Sequence, residues 1–104
     1  MNVTGFKLIN GDEILGDEQA PDKDTPHQYI IRKPLLIGMT QGPNGQPQLM
    51  LADYLMLSEE ETLYLKHSAV MFTYTPKQGL TSQYIQMTSG LVVPSSAGGK
   101  LLLG

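Results

Sequence analysis

The chain of 104 residues is long enough for one domain with a modest hydrophobic core and too short for a second full domain. Hydrophobic residues make up 40% of the sequence and charged residues 16%, a balance typical of a folded protein and not of a disordered one. The absence of cysteine excludes disulfides and thiolate metal sites, and a formal net charge of −3 argues against nucleic-acid binding through an overall basic surface.

The first predicted element is a β-hairpin. Apolar residues flank Asn10-Gly11, the dipeptide best able to adopt the positive φ angles of a two-residue turn, and this pattern predicts strands over 6–10 and 13–18. Residues 19–27 then contain two prolines and three charges, which predicts a loop at the surface of the domain.

Two strands are predicted next. Residues 29–39 are apolar and β-branched at their start, and the strand should bend or bulge at Pro34, because proline cannot donate a hydrogen bond to a neighbouring strand. After a Gly/Pro-rich turn, residues 48–57 are apolar at both odd and even positions, which predicts a strand covered on both faces. A helix is the alternative for this run, and the preceding turn and the short length favour the strand.

Residues 62–66 and 70–75 predict two further strand pieces around His67-Ser-Ala, and a helix is predicted over 76–89. Thr75 is suited to the N-cap position, with a capping box completed by Gln78. The helix carries one apolar stripe, formed by Leu80, Tyr84 and Met87.

The segment after the helix opens with Gly90, which is suited to end a helix in the left-handed conformation. The tail, 91–104, is rich in serine and glycine and then in leucine. It is predicted either to be flexible or to dock on a neighbouring subunit.

The order of these elements and the glycines of the first hairpin resemble the Sm-like proteins. Gly11, Ile14 and Gly16 fall on the spacing of that family's first motif, and Leu8-Ile9-Asn10-Gly11 is similar to the matching part of bacterial Hfq. The resemblance covers about 6–75. A helix after the last strand makes the chain most similar to the Sm-like proteins of tailed phages, including those of cyanophage origin.

The resemblance implies a fold: an all-β, SH3-like, strongly bent five-stranded antiparallel barrel over about 6–75, followed by the helix at 76–89. The chain 1–104 would then be a single Sm-like domain. Sm-like proteins assemble into rings, so a cyclic homo-oligomer is the implied state of assembly.

The strand pattern supports a ring independently. Long apolar strands at 48–57 and 70–75 would lie at the edges of a small barrel, where unpaired backbone groups invite strand addition by a neighbour. Head-to-tail pairing with a closing rotation produces a cyclic oligomer. The alternative is a monomer in which the helix at 76–89 covers one edge.

The resemblance also implies RNA-binding positions. Asp22 has the spacing of the aspartate in the uridine pocket, and Lys66-His67 stands at the second motif, where lysine supplies charge and imidazole can stack and hydrogen-bond. His27, in the same loop as Asp22, could join such a site. The alternative interpretation of Lys66 and His67 is that they are ordinary turn residues.

Two positions depart from the family pattern, since Pro26 stands where asparagine is usual and Pro21 where an aromatic residue is usual. We expect a ring that binds single-stranded RNA and modulates host or phage transcripts. The alternative is a structural or protein-interaction ring without nucleic-acid binding, which the acidic charge and these departures favour.

Other activities find less support in the sequence. It contains no nucleophile elbow, phosphate loop, zinc spacing or paired-carboxylate signature, and Ser68 and His67 are adjacent residues that should point apart, so we expect neither an enzyme nor a cofactor or metal. The N-terminus lacks the features of a signal peptide, and no apolar run approaches the roughly 20 residues that span a bilayer. A cytoplasmic location is predicted, in the host cytoplasm if the chain is phage-encoded, with no membrane partner.

Overall fold

The computed structural model describes residues 1–89 and the backbone of 101–103. The chain forms seven β-strands: β1 Val3–Leu8, β2 Glu13–Glu18, β3 Gln28–Gln41, β4 Pro47–Asp53, β5 Thr62–Lys66, β6 Val70–Tyr74 and β7 Leu101–Leu103. One turn of 3-10 helix, His67–Ala69, joins β5 to β6, and helix α1, Gln78–Thr88, follows β6. None of the helices described is long and apolar enough to cross a bilayer.

All strands belong to one antiparallel sheet. Its order is β6-β1-β2-β3-β4-β7, and β5 pairs with β3 outside this path. One edge of β3 contacts β2, while the other edge pairs with β5 through residues 28–32 and with β4 through residues 35–41. The predicted mostly-β antiparallel fold with a C-terminal helix is confirmed.

The sheet is not the five-stranded barrel that we expected. It is not closed within the described residues, and it contains seven strands. β5 pairs with β3, β6 pairs with β1, and a single 3-10 turn connects β5 to β6. Within the described residues, β5 and β6 do not pair with each other, so the barrel stays open between them. β3, at 14 residues, is long enough to pair with both β4 and β5, and the β3–β4 hairpin extends the sheet.

The first hairpin is confirmed, but its turn differs from the prediction. The Leu8 N–H donates to the Asp12 carbonyl at 2.8 Å, and the Gly11 N–H donates to the Leu8 carbonyl at 3.0 Å. Gly11 has φ +95°, whereas Asn10 is not among the residues with positive φ. A two-residue type I′ turn needs positive φ at both central positions, so the chain uses a three-residue connection with a glycine bulge instead.

The predicted distortion of β3 is confirmed at Lys33-Pro34. The register places Leu15 opposite Leu35 and Asp17 opposite Arg32, so that Gly16 alone faces two residues of β3, Lys33 and Pro34. Lys33 adopts φ +50°, an uncommon conformation for a residue with a side chain. We call this pair of residues the β3 bulge. At the β3 bulge, the partner of β3 changes from β5 to β4.

The hydrophobic core consists of two clusters on opposite faces of the sheet, since successive strand residues point to opposite sides. The first cluster is centred on buried side chains of β1, β2 and β3: Phe6, Leu8, Ile14 and Ile31. The second lies under α1 and is centred on Leu15, Leu35, Leu51 and Tyr84. The predicted helical stripe is confirmed, because Leu80 and Met87 pack against this second cluster with Tyr84.

Two details of α1 and its surroundings differ from the prediction. The helix starts at Gln78, with Lys77 as an N-cap that makes no side-chain hydrogen bond, so the capping box at Thr75 is wrong. The extended backbone of Lys77 and the burial of Pro76 keep the chain extended before the helix. Gly90 lies outside the described residues.

The prediction for 48–57 is correct only in part. β4 ends at Asp53, whose Oδ1 accepts a hydrogen bond from the Leu55 N–H at 2.9 Å and so begins a turn. Within β4 only Leu51 is buried, so the expectation that both faces are covered throughout is wrong.

The two predicted edges also have different outcomes. β6 lies at one edge of the described sheet, as predicted. β4 is not a free edge over Leu49–Leu51, because these residues pair with β7 of the same chain. This part of the tail therefore docks on its own chain, and the predictions for 91–100 lie outside the described residues.

Tyr84 attaches α1 to the β3 bulge. Its hydroxyl lies 2.9 Å from the carbonyl oxygens of Arg32 and Lys33, and it can donate its proton to either. The Lys33 Nζ donates in return to the Thr88 carbonyl at 2.8 Å, near the end of α1. Burial raises the pKa of Tyr84 to about 12, because the phenolate would lose its hydration.

The close approach of β2 and β3 predicts a cost for Gly16→Ala. A Cβ at Gly16 would lie 2.0 Å from the Ile31 Cγ2, whereas a Cβ at Gly38 would lie no closer than 3.9 Å to any neighbour. We expect Gly16→Ala to lower the free energy of unfolding by about 1–3 kcal/mol, the usual cost of overpacking. Urea unfolding of both variants measures the difference, and an equal effect of Gly38→Ala would contradict the prediction.

The hydroxyl of Tyr84 predicts an alkaline transition. Tyr84→Phe should lower the free energy of unfolding by about 1–3 kcal/mol, because the carbonyls of the β3 bulge lose a buried donor. The pKa of Tyr84 is raised from 10.0 to about 12, so the contribution of this residue is complete below pH 10 and is lost as the pH rises through 12. Between pH 9 and 12, the melting temperature should therefore fall less steeply with pH for Tyr84→Phe than for wild type. Tyr64→Phe, at an exposed tyrosine, is the control, and an unchanged slope in Tyr84→Phe would disprove the assignment.

Candidate nucleic-acid interface

The β3–β5 ladder brings three of the four predicted site residues together. Gln28 pairs with Lys66, and one residue further along the chain the His67 N–H donates to the His27 carbonyl at 2.9 Å. His27, Lys66 and His67 are all exposed. They form a cluster at the end of the ladder where β3 begins and β5 ends.

Two aromatic side chains lie beneath His67. The centroid of its imidazole lies 4.4 Å from that of the Tyr29 ring, at an interplanar angle of 56°. The centroid of Tyr29 in turn lies 5.2 Å from that of Phe6 in an edge-on contact, and Phe6 is completely buried in the first core cluster. The imidazole is therefore supported by the core on one side while the residue remains largely exposed to solvent.

The outward face of the same ladder adds residues that the sequence analysis did not assign to the site. Tyr64 and Lys66 point to the same side because they are two residues apart on β5, and Tyr64 is 56% exposed. Arg32 belongs to the same face, since it pairs with Thr62. The alternation in Thr62-Leu-Tyr-Leu-Lys66 was the available signal, because it places Tyr64 beside Lys66.

The charges on this face differ in how strongly they are engaged. Lys66 makes no ion pair or hydrogen bond through its side chain with any residue that the structure describes. Arg32 lies 3.7 Å from the Glu61 carboxylate, but both side chains are at least half exposed, so water and salt weaken this pair. Lys66 is thus an exposed cation without a partner among the described residues, on the same face of β5 as Tyr64.

Asp22 is not joined to this cluster by any recorded contact within residues 1–89. Its carboxylate accepts a hydrogen bond from the Asp24 N–H at 2.9 Å, and its carbonyl accepts one from the Thr25 N–H at 3.1 Å. The carboxylate thus stabilises a turn of the 19–27 loop, which is confirmed as a loop. Asp22 therefore has a local structural role that the sequence analysis did not foresee.

The chemistry available in the cluster is that of binding. No hydrogen bond joins the side chains of His67 and Ser68 in the structure as described. In the same part of the chain, no three histidine, aspartate or glutamate side chains lie close enough to hold a metal ion. What the cluster offers a ligand is a cation, two imidazoles and an exposed phenol ring, groups that suit phosphates and the faces of bases.

Comparison with known proteins adds no assignment. No model of a protein family matches the sequence, and a search of curated proteins found no significant match. The functional interpretation therefore rests on the residues and their geometry.

The aromatic contact predicts a measurable link between Tyr29 and His67. In Tyr29→Leu, the ring protons of His67 should move towards the NMR positions of an unstacked histidine, because the neighbouring ring current is lost. His27, for which the structure gives no ring contact, is the internal control. Unchanged His67 resonances in a folded Tyr29→Leu variant would contradict the contact between the two rings.

Proposed function

We propose that this chain is an Sm-like protein that assembles into a homo-oligomeric ring and binds single-stranded RNA through the end of its β3–β5 ladder. The observation that carries the RNA part is the exposed His67, whose imidazole packs on the Tyr29 ring and which follows Lys66, an exposed lysine whose ammonium has no partner among the described residues. Exposed aromatic rings combined with unpaired cations bind single strands with little sequence preference.

The proposed contacts divide between base and backbone. His67 and Tyr64 offer rings on which bases can stack, and Lys66 offers a charge to a phosphate. Asp22 is a weaker candidate for contact with a base, because its carboxylate already accepts a backbone hydrogen bond. His27 lies at the rim of the same cluster and can contact the next nucleotide.

The free edge of the sheet supports assembly. β6 ends the strand order, and two of its large apolar side chains, Met71 and Phe72, are 62% and 51% exposed. An exposed apolar edge strand tends to pair with another chain. A ring would repeat the β3–β5 cluster around its axis and so multiply a weak contact with one RNA molecule.

A second candidate function is a ring that binds proteins and not nucleic acid. The net charge of −3 favours it, because an acidic domain repels phosphates at long range. The same β6 edge would serve this function, so the assembly does not distinguish the two candidates. RNA binding does.

Titration of labelled oligo-U and oligo-A at two salt concentrations tests the RNA site. We expect binding that weakens with salt. In Lys66→Ala, the slope of log K against log salt concentration should fall in magnitude by about one, because one phosphate contact is lost. In His67→Ala or Tyr64→Ala, the binding free energy should weaken by about 1–3 kcal/mol. Lys77→Ala removes an exposed lysine at the start of α1 and is the matched control. No binding by folded protein, or an equal loss in Lys77→Ala, would reject the RNA function and leave the second candidate.

Light scattering tests the assembly. The wild-type mass should be a multiple of 11.4 kDa, and Met71→Lys should lower it, because a charge on β6 opposes strand addition. Ile85→Lys, on the exposed side of α1, should leave the mass unchanged. A monomeric wild-type protein at micromolar concentration would refute the ring.

A further inference from the structure

The connection between β4 and β5 exposes two apolar side chains at the tip of a turn. The Ser58 N–H donates to the Leu55 carbonyl at 3.0 Å, which places Met56 and Leu57 at the central positions of the turn. Leu57 is 100% exposed and Met56 is 74% exposed. Central turn positions usually hold glycine, proline, asparagine, aspartate or serine, so folding does not account for two large apolar residues here.

The same connection forms one wall of two clefts. The first, of about 560 Å³, lies between the connection and the end of α1, and its apolar floor contains Pro34, Leu35 and Met87. The second, of about 550 Å³, is almost entirely apolar and is lined by Leu36 and Ala52 with residues 53–58. The exposed tip therefore lies between a cleft with an apolar floor and polar walls and a second cleft that is almost entirely apolar.

The rim of the first cleft is acidic. It carries four carboxylates, from Asp53, Glu59, Glu60 and Glu61. Among the residues that the structure describes, only Glu61 of these four has a cation within ion-pair distance, the exposed Arg32 at 3.7 Å. Lys33 also lines the cleft, and its ammonium donates to the Thr88 carbonyl without losing its charge. Four carboxylates therefore stand against two cations, Arg32 and Lys33, and the rim carries net negative charge beside apolar surface.

We propose that this region, which we call the 53–61 surface, docks a segment of a protein partner in which apolar side chains alternate with arginine or lysine. The apolar side chains would cover Met56, Leu57 and the cleft floor, and the cations would neutralise the carboxylates. Charge complementarity selects this occupant, because the same carboxylates repel nucleic-acid phosphates and anionic lipid headgroups.

The 53–61 surface and the Lys66–His67 end of the proposed RNA site lie at opposite ends of β5. Glu61 precedes this five-residue strand and Lys66 ends it, about 17 Å apart at 3.3 Å per residue, and the two surfaces approach each other only where Arg32 pairs with Glu61. A partner can therefore dock at one end while the other end stays accessible, and the docking proposal does not depend on RNA binding.

A short synthetic peptide of alternating leucine and arginine is the probe, measured by fluorescence anisotropy against the full chain. We expect Met56→Ser combined with Leu57→Ser to weaken binding about tenfold, because buried apolar contact is lost. Glu59→Gln combined with Glu60→Gln should weaken it about threefold, as expected for charges at a solvated rim. Met39→Ser, at a methionine that is also largely exposed, and Asp24→Asn are the matched controls for apolar surface and for charge, and both should bind as wild type does.

Methionine methyl NMR locates the peptide. On labelled protein, the Met56 resonance should shift on titration while that of Met71 stays in place. The proposal fails if the peptide shifts Met71 instead, if a leucine–glutamate peptide binds equally well, or if the serine variants bind as wild type does. A lower mass of the unliganded protein in the serine variants would overturn the proposal in favour of contact between copies. Adsorption to phosphatidylcholine vesicles by wild type but not by the serine variants would overturn it in favour of contact with lipid.

Discussion

The contact between Tyr84 and the β3 bulge is the constraint on which the rest of the structure depends. At Lys33-Pro34 the strand β3 stops pairing with β5 and starts pairing with β4. The backbone carbonyls of Arg32 and Lys33, next to this change of partner, need hydrogen-bond donors. The Tyr84 hydroxyl supplies one, and the Lys33 ammonium returns a hydrogen bond to α1. These two side chains thus connect the bend of the sheet to the helix over the second core cluster.

The parts of the fold that the sequence predicted are those with local causes. Pro34 lacks an N–H, so the distortion of β3 could be read from one residue, and Gly11 similarly marked the first turn. Closure of the sheet could not be read in this way, because it depends on whether β5 and β6 pair across the 3-10 turn. The apolar run at 48–57 misled because apolarity was taken as burial, whereas its last residues form an exposed turn.

The candidate site was predictable to the same limited degree. Lys66 and His67 were found through a resemblance, but the support of His67 by Tyr29 depends on a pairing between distant segments. Asp22 has the predicted loop position, yet its carboxylate stabilises a turn. The net charge also concealed a division, because a basic cluster and an acidic rim occupy opposite ends of β5. An average over the chain cannot report such a separation.

The packing of His67 against Tyr29, and of Tyr29 edge-on against Phe6, has a further consequence for the energetics of the proposed recognition. An exposed histidine in a flexible loop must give up rotational freedom when a ring stacks on it, and that entropy opposes binding. Here the neighbouring ring of Tyr29 and the backbone hydrogen bond to His27 restrict the imidazole before any ligand arrives. Folding has already ordered this surface, so at the proposed RNA site the hydrophobic core would contribute to affinity through preorganisation without contacting the ligand.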